Sequence, residues 1–121
     1  MDAGNGEGHY DLEDRTYAFA ERVRRFLKTV PRTIANIEDG RQLVRASGSV
    51  GANYIEANES LGKKDFRMHI RICRKESKES RFFLRLMDVG DSDSAAAERA
   101  ALVKEAAEFV RIFSAILRSS E

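Results

Sequence analysis

The chain reads as an all-α protein, an antiparallel up-down-up-down four-helix bundle, and three observations predict it. Apolar residues recur every three or four positions through four separate stretches, no stretch alternates with the period of two that a half-buried strand needs, and the single proline falls between the first two stretches. Helices joined by connections this short must run antiparallel to their neighbours.

The first helix is carried by Leu12, Thr16, Phe19, Val23, Phe26 and Val30, spaced 4, 3, 4, 3 and 4 apart, so it covers about residues 11–29, opened by acids and ended before Pro31. Residues 1–10 hold four Gly or Asn and no apolar period, so they are expected as a disordered tail, with 11–121 as the bundle domain. Thr33 is the expected N-cap of a second helix running to about Asn58, with Ile37, Leu43, Val44, Val50, Gly51, Tyr54 and Ile55 inward. Glycine costs a helix interior roughly 1 kcal/mol relative to alanine. The cluster Ser47, Gly48 and Gly51 therefore points to another helix passing close by. Gly62 breaks the chain, and a third helix follows to about Val89. Asp93 or Ser94 is the expected cap of the last helix, whose Leu102, Val103, Ala106, Val110, Phe113, Ile116 and Leu117 form its apolar face to about Arg118.

A length of 121 residues sets one domain with one core, and 42% hydrophobic against 34% charged residues is the balance of a folded helical protein and not of a disordered one. No apolar run reaches the roughly 18 residues of a membrane span, and the acidic N-terminus lacks the basic-then-apolar order of a signal peptide. A cytoplasmic protein is expected. Cys73 is alone, so no internal disulfide can form, which agrees with a reducing compartment.

The net charge of +1 hides segregation. Residues 1–14 carry five acids and no base, whereas 62–87 carry nine bases and three acids. Within that basic stretch Lys64, Arg67, Arg71, Arg74, Lys78, Arg81 and Arg85 follow at spacings of 3, 4, 3, 4, 3 and 4. On a helix they make one cationic stripe within an arc of roughly 120°. Like charges at these spacings repel, so the stripe faces solvent or an anionic partner. Phe66, Met68, Ile70, Ile72, Cys73, Phe83, Leu84, Leu86 and Met87 take most of the remaining circumference, an apolar arc of roughly 200°, wider than a surface helix needs. That width suggests contact with a second chain, or a central place in a tight bundle.

The segment Ser49-Val50-x-Ala52-Asn53-x-x-Glu56, followed by Lys64-Asp65-Phe66 and by residues 75–80, resembles the bacterial four-helix-bundle proteins encoded within intervening sequences of 23S ribosomal RNA genes. The accessory variability protein of diversity-generating retroelements is similar. The resemblance covers residues 11–118 and implies a bundle assembling as a homopentamer; for the retroelement branch it also implies a positively charged barrel that binds nucleic acid and a reverse transcriptase. This chain departs from the common pattern in having Ala57-Asn58 in place of a Glu-Gly helix stop, and a charged Lys75–Glu79 segment in place of small and apolar residues. The resemblance also implies a polar clasp between the second and third helices, made by Asn53 and Glu79. The helical wheel places Glu79 inside the apolar arc and Asn53 at the edge of its own, and a buried carboxylate requires a donor. Glu56 and Glu59 share a face with Arg41 and Arg45, where solvated ion pairing is expected.

Catalytic groups are scarce. His69, Cys73 and Glu76 share one helix face, but three ligands from one helix rarely hold a metal, and the facing Glu-x-x-His pairs of a bundle di-metal site do not occur. Gly48 and Gly51 precede no Lys-Ser/Thr pair, so no phosphate loop is present. No catalytic residue, metal or cofactor is expected. Two readings of the stripe remain: an oligomeric, non-enzymatic protein gripping RNA or DNA backbone, with Arg22, Arg24, Arg25 and Lys28 of the first helix adding to it, or a structural scaffold or protein adaptor whose stripe meets acidic segments such as residues 1–14.

Overall fold

The computed structural model describes residues 4–121, with side chains from Leu12 onward. It holds four helices, α1 Gly4–Leu27, α2 Ile34–Asn58, α3 Lys63–Leu86 and α4 Asp93–Ser119. Residues 1–3 of the expected tail lie outside the described residues, and α1 starts at Gly4 where the apolar period had placed its start at Asp11. Each helix packs on its neighbours in the chain, and α1 closes the ring on α4, so α1 and α3 stand diagonally opposite. That is the up-down-up-down arrangement the connection lengths required. Among the described residues no helix is long and apolar enough to cross a membrane.

Apolar periodicity becomes a core of Phe19, Val23, Phe26, Leu43, Val50, Ile70, Leu84, Met87, Leu102, Phe109 and Phe113, all almost fully buried. Phe19 meets Phe109 edge-on at a centroid distance of 5.3 Å, an arrangement that adds a little to simple area burial. The α1–α4 seam is laced by Arg15, bidentate to Glu105 at 2.7 and 3.1 Å, and Arg22, bidentate to Glu98 at 3.0 and 3.1 Å. On the opposite side of α1, the small residues of α2 do what their cost implied: a β-carbon on Gly51 would stand 2.9 Å from Thr16 Oγ1. Only glycine lets the two helices approach this closely.

Caps fall close to where expected. Thr33 Oγ1 accepts from the Asn36 amide at 3.0 Å. The cap of α4 is Ser92, one residue earlier than Asp93; its hydroxyl accepts from the Ala95 amide at 3.0 Å. α3 ends at Leu86, short of Val89, because the chain turns extended at Met87. A device with no sequence signature ties the two loops at this end together. The buried Asn36 side chain donates to Pro31 O at 2.9 Å and Asp88 O at 2.8 Å, and accepts from the Asp88 amide at 3.0 Å. Arg99 donates to Met87 O from α4, and Gly90 turns the loop with a φ of 66°, where a side chain would be strained and would press on Pro31.

Candidate nucleic-acid interface

Because α3 sits between α2 and α4, its seven cations cannot all face the same surroundings. Arg67 and Arg74 lie on the edge toward α4. Arg67 Nη1 donates to the Leu117 carbonyl and to the Ser120 hydroxyl oxygen, each at 2.6 Å, at a helix end whose dipole favours a cation. Arg74 Nη1 reaches Ser114 Oγ at 3.4 Å. Lys64, Arg71, Lys78, Arg81 and Arg85 are exposed, and among the described residues no carboxylate lies within ion-pairing reach of any of them. Five of the seven thus point outward as a row without counter-charge, and two brace the bundle.

The basic residues of α1 do not extend this row. Diagonal placement separates α1 from α3; Arg22 is held by Glu98, Arg24 donates to its own helix at Ala20 O, and Arg25 lies 3.9 Å from Glu21.

Apolar side chains share the outer face. The wide arc divides: Ile70, Cys73, Leu84 and Met87 are buried, Phe66 and Phe83 pack partly against the core, and Met68 and Leu86 are 42% and 51% exposed. Phe82, which the arc did not include, is 55% exposed. The signal for it was there, since Phe82 stands eighteen residues, five full turns, after Lys64 and so points along the edge of the stripe that Lys64 marks. Together with Lys78, Arg81 and Arg85 it lines a groove of about 460 Å³ against Ala107 and Val110 of α4.

The expected Asn53–Glu79 clasp is replaced by a different one. Asn53 Nδ2 donates to Ser49 O and Oγ at 3.0 Å, which turns its Oδ1 toward His69 Nδ1 at 3.1 Å. His69 Nε2 lies 3.7 Å from Asp65 Oδ1. Glu79 is 46% exposed in its side chain, 3.9 Å from Lys75 Nζ. The difference has a geometric cause: the apolar arc extends past Glu79 only through Met68 and Leu86, and both face solvent.

The His69, Cys73 and Glu76 trio does not converge. His69 is taken by Asn53, Glu76 lies 3.4 Å from Lys75, and Cys73 Sγ lies 3.4 Å from Val50 O in the core. Burial pushes the Cys73 thiol up to about 12. A thiol held neutral is neither a nucleophile nor a ready metal ligand. Among the described residues no group of three or more His, Cys, Asp or Glu is placed to hold a metal.

Comparisons agree with this architecture. A Bacteroides thetaiotaomicron protein of unknown function from the S23 ribosomal protein family has the same fold, with a TM-score of 0.71 at 21% identity over 88% of this chain and 97% of that one. No curated protein matches. The family model of the 23S rRNA-intervening sequence proteins matches residues 9–114, nearly the whole bundle, and the chain belongs to that family.

Proposed function

We propose that the chain is a non-enzymatic, oligomeric protein of the cytoplasm that grips RNA or DNA along its backbone with Lys64, Arg71, Lys78, Arg81 and Arg85. The observation carrying this reading is the row of five outward cations with no carboxylate in ion-pairing reach among the described residues, on a helix whose opposite face is core. Such a row repels itself and raises the local potential, and a polyanion relieves both. Lysine and arginine contacts to phosphate position a ligand without reading its bases.

Assembly has a surface of its own. Tyr17 and Ile55 stand exposed beside Ala20, Gly48 and Ala52, lining an open groove of about 430 Å³ between α1 and α2. A second copy seated there leaves the outer face of α3 clear, and the family resemblance makes a homopentamer the first choice. Light scattering at micromolar concentration tests it; a monomeric mass removes the assembly.

Binding is tested by titrating short RNA and DNA at stepped salt. Combined Arg71→Ala, Lys78→Ala and Arg81→Ala substitutions should flatten the slope of log affinity against log salt by about two to three, at 0.7 to 0.9 per phosphate contact. Absence of wild-type binding at about 50 mM salt, where such contacts are strong, ends the reading. A protein adaptor then takes its place, supported by the exposed Met68, Phe82 and Leu86, which suit a partner surface both acidic and apolar.

A further inference from the structure

Phe82 is out of place on a face built only to hold phosphate. Contacts to a backbone need cations, and an exposed phenyl ring gains nothing from them. Yet the ring sits at the edge of the cation row, beside Arg81, four residues after Lys78 and three before Arg85, more than half exposed. Its pose is set from behind. Phe83 meets it edge-on at a centroid distance of 5.3 Å and an interplanar angle of 83°, and Phe83 packs in turn against the core. In front lies the groove of about 460 Å³, whose α4 side carries only Ala107 and Val110.

From this we infer that Phe82 is a stacking platform for a nucleobase, and that the ligand of the α3 row is therefore single-stranded. The inference rests on the nucleic-acid reading above and narrows it. In a duplex the base faces are stacked on one another and closed to a protein side chain, so a duplex meets the row through phosphate alone. A single strand offers its base faces; an aromatic ring among cations is how proteins hold such strands without sequence preference. The small side chains opposite leave space for a flat base, and Lys78, Arg81 and Arg85 surround that space with charge for the adjoining phosphates. A ring already braced loses little freedom on binding.

Affinities of the full chain for a short oligouridylate, the matching oligothymidylate and a duplex of the same length provide the test, with Phe82→Ala, Phe82→Leu and Phe82→Trp beside the wild type. We expect the wild type to prefer a single strand. Phe82→Ala and Phe82→Leu should each weaken that binding by about tenfold, within the range of one stacked base, at an unchanged salt slope, while duplex binding stays as it was. Phe82→Trp should retain the preference. The two single strands separate RNA from DNA as the source of the base. Equal wild-type affinity for strand and duplex, or single-strand binding indifferent to all three substitutions, overturns the stacking role and leaves the backbone reading standing. Loss through Phe82→Ala but not Phe82→Leu also overturns it, since leucine supplies bulk without a π-face. No binding by the wild type overturns both.

Discussion

Arg67, one turn into α3, donates to the carbonyl of Leu117 near the end of α4 at 2.6 Å, and so closes the last turn of a helix fifty residues further along the chain. A cation that the spacing assigned to a ligand is engaged by the fold. Arg67→Ala should cost about 1–2 kcal/mol, in the range of a hydrogen bond to a charged group reduced for partial exposure. Arg71→Ala, on the outward row, should stay within about 0.5 kcal/mol. Urea melts of the two variants check it; equal midpoints would mean that the Leu117 contact contributes nothing to stability.

Two glycines three residues apart should respond to alanine with opposite sign. At Gly48 the nearest atom to an added β-carbon is the movable end of Arg24, at 3.5 Å, so helix propensity decides and Gly48→Ala should stabilise by about 0.5–1 kcal/mol. At Gly51 the neighbour is Thr16 Oγ1 at 2.9 Å, and that hydroxyl already donates within α1 to Leu12 O or Glu13 O. Overpacking then exceeds propensity, and Gly51→Ala should destabilise by about 1–3 kcal/mol. Adding Thr16→Ala should recover part of the loss, which a double-mutant cycle by thermal melting measures.

Polar pairing between α2 and α3 is tested by comparing Asn53 with Glu79. Asn53→Ala leaves His69 without the amide that orients it and should cost about 1–2 kcal/mol. Glu79→Ala, at a half-buried position 3.9 Å from Lys75 of its own helix, should change stability by less than about 0.5 kcal/mol. Denaturant titration separates the two, and a larger loss at Glu79 would restore the pairing expected from the resemblance.

Cys73 makes stability fall in alkali. Its thiol is pushed up from 9.0 to about 12 by burial, so between these values the unfolded chain loses a proton that the folded chain keeps. Stability is full below pH 9 and declines as pH rises, at up to about 1.4 kcal/mol per pH unit. The stability difference between wild type and Cys73→Ala should therefore shrink by roughly 1 kcal/mol from pH 9 to pH 10. A difference that stays constant over that interval would show that the thiol already ionises in the folded protein.

Periodicity made the four helices legible because each buries one stripe, and stripes are written at intervals of three and four. Thr33 was legible for a related reason, since an N-cap is a local bond between residues three apart. What a helical wheel lacks is the identity of the neighbour at each angle. It put seven cations on one face without showing that α4 would take Arg67 and Arg74, and it put Glu79 beside Met68 and Leu86 without showing that those two look outward and leave Glu79 half exposed. Asn36 had no signal, because its partners at Pro31 and Asp88 exist only once two loops have been brought to the same end.

The Asn36 bridge gives the bundle unequal ends. At one end, side-chain bonds across 52 positions of chain hold the α1–α2 and α3–α4 loops as a single piece, so neither can peel away alone. The other end holds the α2–α3 turn and the last turn of α4, fastened by bonds from Arg67 to Leu117 O and from Asn58 Nδ2 to Glu13 Oε2, with no bond between loops like that of Asn36 among the described residues. Opening should start there and travel toward the bridge. Amide hydrogen exchange would record this as a gradient along the bundle axis, with the Asp88 amide, although it lies in a loop, exchanging as slowly as amides deep inside α2 and α3.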